Sequence, residues 1–194
     1  EFQRDHDTTF KMWKNMTGFF YSSATERASL QIGNSEIECG WDFWSSPMLI
    51  ETQLSQQVFR ALTLSMTSRR DDVFILDGPP GSGKSETTKD FFKLIGYTSL
   101  VVNCTAESDV DELTRYIRTS PKGEFAIILD NFSKLLPSDQ GIILTVAAEV
   151  AANARTSEGR VEFPFFVPLV VVLDSSSQEG ENGFYDSVEY QRGR

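Results

Sequence analysis

Eight consecutive residues place flexible glycines next to one ammonium and one hydroxyl group, a combination that can hold phosphate. They are Gly78, Pro79, Pro80, Gly81, Ser82, Gly83, Lys84 and Ser85, and they meet the pattern G-x-x-x-x-G-K-[ST] in full. The glycines let the backbone curl so that successive N–H groups point at phosphate oxygens. Lys84 would then reach the β- and γ-phosphates, and Ser85 would ligate Mg²⁺. An apolar strand precedes the run and a helix follows it, which favours a phosphate-binding loop over a Gly-Pro turn with an unrelated lysine.

An apolar strand that ends in a carboxylate would complete such a site. Residues 125–129 are apolar and lead into Asp130, which we expect to hold Mg²⁺ through water. The next residue is Asn131, where ATPases of this type usually carry a glutamate that polarises the attacking water. An amide can orient a water but cannot take its proton, and losing such a group costs a factor of roughly 10² to 10⁴ in rate. The sequence therefore supports binding better than turnover, although Asp130 could still position a water.

Another carboxylate follows the last apolar run, residues 165–173. Asp174 stands where P-loop ATPases often place a polar residue that contacts the γ-phosphate or its water. A carboxylate there would repel the phosphate unless it were protonated or paired. A solvated strand end followed by a turn explains the same residue, and the sequence leaves both interpretations open.

The elements that must position these groups alternate between strand and helix. We predict strands at 73–76, 99–103, 125–129 and 165–173, and helices at 52–66, 85–95, 110–118 and 138–155. Continuous apolar strands between helices predict a parallel sheet covered on both faces, in a three-layer α/β domain. In the helix 52–66 we expect Thr52 to cap the first turn. Its apolar side would comprise Leu54, Val58, Ala61, Leu62 and Ser65.

The first 46 residues read as a separate N-terminal segment. We predict a short helix at 7–16, strands at 18–21 and 29–32, a turn at 33–35 and a hairpin return at 37–40. Residues 47–194 would form the nucleotide-binding domain. The chain starts at Glu1 and ends at Arg194, and we expect it to be part of something longer.

Composition excludes several classes of partner. The chain has 194 residues, 40% of them hydrophobic, and a formal net charge of −10, which argues against nucleic acid and anionic membranes. Its longest apolar run is too short to span a bilayer, and no signal peptide precedes it. The two cysteines, Cys39 and Cys104, form no metal-like cluster and favour a reduced, intracellular compartment.

The run from Gly78 to Asp90, GPPGSGKSETTKD, resembles the first AAA+ module of dynein heavy chains, where G-P-A-G-T-G-K-T-E-T-x-K-D is distinctive. Residues 101–104, VVNC, match the V-x-N-C strand of that family. Residues 13–21 resemble the end of the dynein linker and the first strand of the module, and 43–52 the loop before its first helix. The resemblance is strong from about 76 to 104 and implies the fold of an AAA+ large subdomain, a three-layer P-loop NTPase with a central parallel five-stranded sheet.

The resemblance also assigns roles to residues. It implies that the loop residues 78–85, with Glu86, hold the phosphates of ATP or ADP and Mg²⁺, and that Leu49 and Ile50 flank the adenine. The sequence departs from the family in two segments. The D-E-F-N-R segment reads Asp130-Asn131-Phe132-Ser133-Lys134, and the family's sensor Asn aligns with Asp174 in a segment that lacks the following N-P-G-Y run. The distal arginine that reaches a neighbouring module could be Arg192 or Arg194, and we expect the α-helical lid to lie outside this chain.

Three functional hypotheses follow. The first is an ATP-binding AAA+ module of a dynein-type microtubule motor heavy chain, in contact with neighbouring modules and the linker, located on the cytoskeleton of the cytoplasm or the axoneme. The second is a structural or regulatory module that binds nucleotide without turnover, which Asn131 and Asp174 favour. The third is an unrelated P-loop NTPase, such as a small kinase or a helicase-like fragment, which the acidic charge disfavours.

Overall fold

The computed structural model describes residues 17–33, 35–40, 52–68, 73–123, 125–156 and 169–174. The elements follow the predicted alternation. The strands are β1 Thr17–Ser22, β2 Arg27–Ile32, β3 Ser35–Glu38, β4 Val73–Gly78, β5 Thr98–Asn103, β6 Phe125–Asp130 and β7 Leu169–Asp174. The helices are α1 Gln53–Ser68, α2 Lys84–Leu94, α3 Val110–Gly123 and α4 Pro137–Thr156, with a 3-10 helix at Phe132–Lys134.

The central sheet is parallel and has the strand order β4-β7-β6-β5. Four successive residues of β6, from Ala126 to Leu129, are buried, as expected for a strand covered on both faces. Because all the strands run the same way, their carboxyl ends meet at one edge, which Gly78, Asp174, Asp130 and Asn103 occupy. Of the five strands expected, the described part of the chain contains these four.

Two clusters of buried side chains cover the two faces of the sheet, which confirms the three layers. On one face, alternate residues of β4, β6 and β7 pack with α1 and α2; this cluster includes Phe74, Ile128, Phe91 and Leu62. On the other face, the remaining positions of β6 and β7 pack with α3 and α4. The alternation of strand side chains between faces builds both clusters from the same strands.

The N-terminal hairpin is confirmed: β1 and β2 match the two predicted strands, and the predicted return is β3, which begins at Ser35 rather than at residue 37. Strands β1, β2 and β3 form an antiparallel sheet of their own, and Leu30, Ile32 and Ile37 bury their side chains in the first cluster. At the end of this sheet, the Gly40 N–H donates to the Ile95 carbonyl oxygen at 2.7 Å. The hairpin therefore docks against the end of α2, the helix that follows the glycine loop.

Helix α1 begins where predicted. The Ser55 N–H donates to Thr52 Oγ1 at 3.2 Å, and the Thr52 N–H donates to Ser55 Oγ at 2.7 Å, so the two residues cap the first turn reciprocally. The predicted apolar side was wrong at Leu54, which is 44% exposed. The buried face centres on Leu62, because α1 packs on β3 and α2 together, and Leu54 lies at the border of that face.

Other boundaries shifted by a few residues. Helix α3 runs to Gly123, five residues past its predicted end, and includes Pro121. Gly96, with a φ of +71°, ends α2 as predicted. The expected helix at 7–16 and the loop containing Leu49 and Ile50 lie outside the described residues, as do 165–168 of the last predicted strand. Within the described ranges, no helix is long and apolar enough to cross a bilayer.

Candidate functional site

The loop between β4 and α2 takes its shape from two glycines. Gly81 and Gly83 have φ angles of +77° and +80°, which side-chain-bearing residues rarely adopt. No atom lies within 4 Å of the position that a Cβ would take at either glycine, so backbone conformation rather than crowding requires glycine here. Gly83 directly precedes α2, whose first N–H groups have no partner within the helix. Curled backbone followed by a helix N-terminus is the arrangement that binds phosphate.

Lys84 opens α2 and folds its side chain back along the loop. Its ammonium nitrogen donates to the carbonyl oxygens of Gly78 at 3.0 Å and Pro79 at 2.7 Å, with Ser82 Oγ at 3.4 Å. It also pairs with the Asp174 carboxylate, at 2.9 Å from Nζ to Oδ1. The Lys84 side chain is only 8% exposed, so this cation is fixed inside the loop.

Asp174 reaches Lys84 because β7 lies next to β4. The two strands pair in parallel with Gly78 opposite Asp174, so the carboxylate stands directly beside the start of the loop. Its side chain is 35% exposed. The sequence left open whether Asp174 belongs to the site or to a solvated turn, and its contact with Lys84 brings it to the loop.

Asp130 ends β6 at the same edge of the sheet. Its carboxylate accepts a hydrogen bond from the Asn131 N–H at 3.0 Å, and its carbonyl accepts one from the Cys104 N–H at 2.8 Å. Burial raises the pKa of the Cys104 thiol to about 11, and the nearby negative charge of Asp130 adds to the rise. Cys104 therefore stays a neutral thiol beside the carboxylate at neutral pH.

Asn131 turns its amide away from the loop. Its backbone has a φ of +56°, and its Nδ2 donates to Asn103 Oδ1 at 2.8 Å. Asn103 ends β5, which lies on the side of β6 opposite to β7 and β4. The structure thus ties the Asn131 side chain to β5, on the side of β6 away from the glycine loop. Sequence reasoning did not single out Asn103, although a polar residue at the carboxyl end of a predicted strand was a signal for it.

The oxygen groups present fit Mg²⁺ that arrives with a nucleotide. Ser85 and Asp130 are both half-buried, and a hydroxyl and a carboxylate are ligands that Mg²⁺ accepts while it keeps waters and phosphate oxygens. Across the residues that the structure describes, no group of three or more His, Cys, Asp or Glu side chains could hold a metal alone.

Of the remaining predicted site residues, Glu86 has an exposed side chain, and the others lie outside the residues that the structure describes. Glu86, in the first turn of α2, forms an ion pair with Lys89, three residues later. Its side chain is 59% exposed. The positions assigned to adenine, Leu49 and Ile50, and the candidate distal arginines lie outside the described ranges.

Comparison with known proteins identifies the family. The family described as the hydrolytic ATP binding site of the dynein motor region matches residues 41–162, more than half of the chain. The chain is 23% identical to dynein axonemal heavy chain 12 of Rattus norvegicus over 158 residues and 25% identical to the Homo sapiens protein over 157. It is 27% identical to dynein axonemal heavy chain 2 of Mus musculus over 104 residues.

The matched region is a small part of each relative. It covers 81% of this chain and 5% of the rat protein, 80% and 5% for the human protein, and 53% and 2% for the mouse protein. Among solved structures, C. elegans PCH-2 matches with a TM-score of 0.45 and 16% identity, over 69% of this chain and 41% of that one. On the strength of the family match, this chain belongs to the family of the hydrolytic ATP-binding site of the dynein motor region, as a divergent AAA+ module.

Proposed function

We propose that the chain binds ATP or ADP with Mg²⁺ as an AAA+ module of a dynein-type microtubule motor heavy chain, and that the bound nucleotide controls how the module packs on its neighbours. The observation that carries the proposal is the buried Lys84 ammonium inside a loop shaped by Gly81 and Gly83. A cation and a ring of backbone N–H groups at a helix start form a site for a polyphosphate. Family membership supports the nucleotide, and it removes the hypothesis of an unrelated P-loop NTPase.

Each group of the site has a defined task in this proposal. The backbone of residues 78–85 surrounds the phosphates, and Lys84 exchanges loop carbonyls for phosphate oxygens. Ser85 and Asp130 hold Mg²⁺, directly and through water, and the ion offsets the charge of the phosphates. Leu49 and Ile50 would enclose the adenine.

The wider role extends beyond the matched region. Axonemal heavy chains are among the relatives, so we propose a place on the cytoskeleton of a cilium or axoneme. The partners would be neighbouring AAA+ modules and the linker of the same heavy chain, and microtubules through the whole motor. Docking of the N-terminal hairpin on the end of α2 offers one route by which the loop could influence adjacent parts.

Calorimetric titration of the 194-residue chain with Mg-ADP and Mg-ATP tests the binding site. We expect saturable binding that Lys84→Ala weakens by roughly 2 kcal/mol, about 30-fold, because a hydrogen-bonded cation is lost. Lys89→Ala removes a lysine of the same helix that pairs with Glu86 at the surface, so it serves as the matched control. Absence of binding in the unsubstituted chain, or equal weakening by both substitutions, would overturn the proposal.

A non-hydrolysing module is the second candidate, and the contact of Asn131 with Asn103 favours it. The amide has no basic group for the attacking water and is held toward β5. In this form, a resident nucleotide would stabilise the packing between modules without turnover. The two candidates share the binding site and differ in phosphate release.

A further inference from the structure

We propose that Asp174 makes this site selective for a nucleoside diphosphate over the corresponding triphosphate. The inference rests on the proposed function, since it concerns the same phosphate site. It names the nucleotide state that the chain holds best and the residue that decides it.

The Lys84 ammonium already uses all of its hydrogen-bond donors. An ammonium group has three N–H donors, and three oxygens lie within 3.0 Å of Nζ: those of Gly78, Pro79 and Asp174. A phosphate oxygen can bind Lys84 only by replacing one of them or by sharing a donor. The two carbonyls are neutral, whereas the Asp174 carboxylate makes the charge-assisted contact.

Asp174 cannot withdraw far when a phosphate arrives. It is the last residue of β7, and its backbone lies opposite Gly78 in the parallel pairing with β4. The buried residues of β7 that precede it, from Leu169 to Val172, fix the strand in the core. The backbone of Asp174 therefore remains beside the loop, and the short side chain keeps the carboxylate near the Lys84 ammonium.

Like charges then meet around one cation. A phosphate oxygen bound to Lys84 at the same distance as Asp174 would lie within about 6 Å of the carboxylate oxygen, twice the 2.9 Å contact. Two anions this close in a partly buried site repel each other substantially. A diphosphate needs one anionic group near Lys84 and leaves Asp174 as the second. A triphosphate brings a further anionic group to the same place, so repulsion falls mainly on the triphosphate.

Direct titration of the 194-residue chain with Mg-ADP and with the magnesium complex of a non-hydrolysable ATP analogue tests this selectivity. We expect the unsubstituted chain to bind the diphosphate at least about tenfold more tightly than the triphosphate analogue. Asp174→Asn keeps the size of the side chain and removes its charge, and it should reduce the preference to roughly threefold or less, mainly by tighter binding of the triphosphate. Asp111→Asn, at an exposed position in α3, changes the net charge equally and should leave the preference intact.

The outcomes separate this inference from the proposed function. Equal affinity for both nucleotides in the unsubstituted chain, or a preference that survives Asp174→Asn, overturns the selectivity and leaves the binding site standing. An equal change in both affinities would mean that Asp174 only shapes the loop, which also overturns it. If neither nucleotide binds to the unsubstituted chain or to either variant, the binding site itself is contradicted, and the selectivity with it. The comparison within the unsubstituted chain requires no variant to fold.

Discussion

At the scale of single residues, the proposed difference between nucleotide binding and turnover depends on Asn131. A glutamate at this position would offer a carboxylate to the attacking water, whereas the amide offers only hydrogen bonds. The amide is also occupied, because its Nδ2 donates to Asn103 at 2.8 Å. In the proposed function, an amide at residue 131 therefore removes the proton acceptor and leaves the phosphate-binding loop 78–85 unchanged.

Restoring the carboxylate tests this separation. We expect Asn131→Glu to raise the rate of phosphate release from Mg-ATP by at least about tenfold, because the lost group accounts for a factor of roughly 10² to 10⁴ in related chemistry. Asn131→Gln, which lengthens the side chain without adding a base, should leave the rate low. A malachite-green assay with Lys84→Ala as background measures it. Turnover by the unsubstituted chain that Lys84→Ala abolishes would contradict the non-hydrolysing alternative.

Because of Cys104, the free energy of unfolding should fall when the pH becomes alkaline. Its pKa rises from 9.0 to about 11 in the folded chain, so the fold favours the neutral thiol. This contribution is complete below pH 9, where the thiol is neutral in both states, and it is lost as pH rises from 9 to about 11. In urea unfolding, raising the pH from 8 to 10.5 should therefore lower the free energy of unfolding less in Cys104→Ala than in the unsubstituted chain. The difference between the two losses should be up to about 2 kcal/mol. Identical losses would show that this thiol is not responsible.

At the scale of elements, the sequence predicted strands better than helix faces. Strands of a parallel sheet are continuous apolar runs, so 73–76, 99–103 and 125–129 were found from composition along the chain. The buried face of α1 depends on two partners, β3 and α2, whose positions one sequence does not reveal, and Leu54 was misassigned for that reason. Likewise, the predicted end of α3 at residue 118 was five residues early, and the helix includes Pro121.

The contact between the N-terminal hairpin and the end of α2 depends on Gly40. A Cβ added to Gly40 would lie 2.2 Å from the Gly96 carbonyl oxygen, which belongs to backbone and cannot rotate away. We expect Gly40→Ala to lower the free energy of unfolding by about 1–3 kcal/mol, because the strand must shift and weaken its bond to Ile95.

A second glycine gives the matched control in denaturant unfolding. Gly141 lies in α4 with no atom within 4 Å of an added Cβ, so Gly141→Ala should raise stability by about 0.5–1 kcal/mol through helix propensity. If the two substitutions change the free energy of unfolding in opposite directions, the destabilisation lies at the contact between the hairpin and α2. Equal small effects would show that the hairpin end does not bear on α2.

At the scale of the whole molecule, some parts of the candidate site could be predicted from the sequence, and others could not. The loop 78–85 is local, so its spacing alone could predict its shape and the phosphate binding proposed for it. The contact between Lys84 and Asp174 joins residues 90 positions apart and exists because β7 inserts between β4 and β6. Strand order is a property of the assembled sheet, so the sequence could name both residues without showing that they touch. The tie between Asn131 and Asn103 required the order of β6 and β5 in the same way.

One buried cluster connects the elements that flank the loop 78–85 to the N-terminal hairpin, and it predicts how far the effect of ligand binding extends. Residues of β2, β3, α1, α2 and β4 share that cluster, so the hairpin core should unfold together with the elements that flank the loop. A ligand that binds only the folded chain at about 100 times its Kd adds roughly 2.7 kcal/mol to the stability. Amides of β2 that exchange through global unfolding should then exchange up to about 100-fold more slowly with Mg-ADP, although β2 is not part of the proposed site. Hydrogen-exchange mass spectrometry measures this, and Lys84→Ala should remove the protection. Slowing confined to the loop and α2 would show instead that the hairpin opens independently, and that nucleotide binding does not reach it.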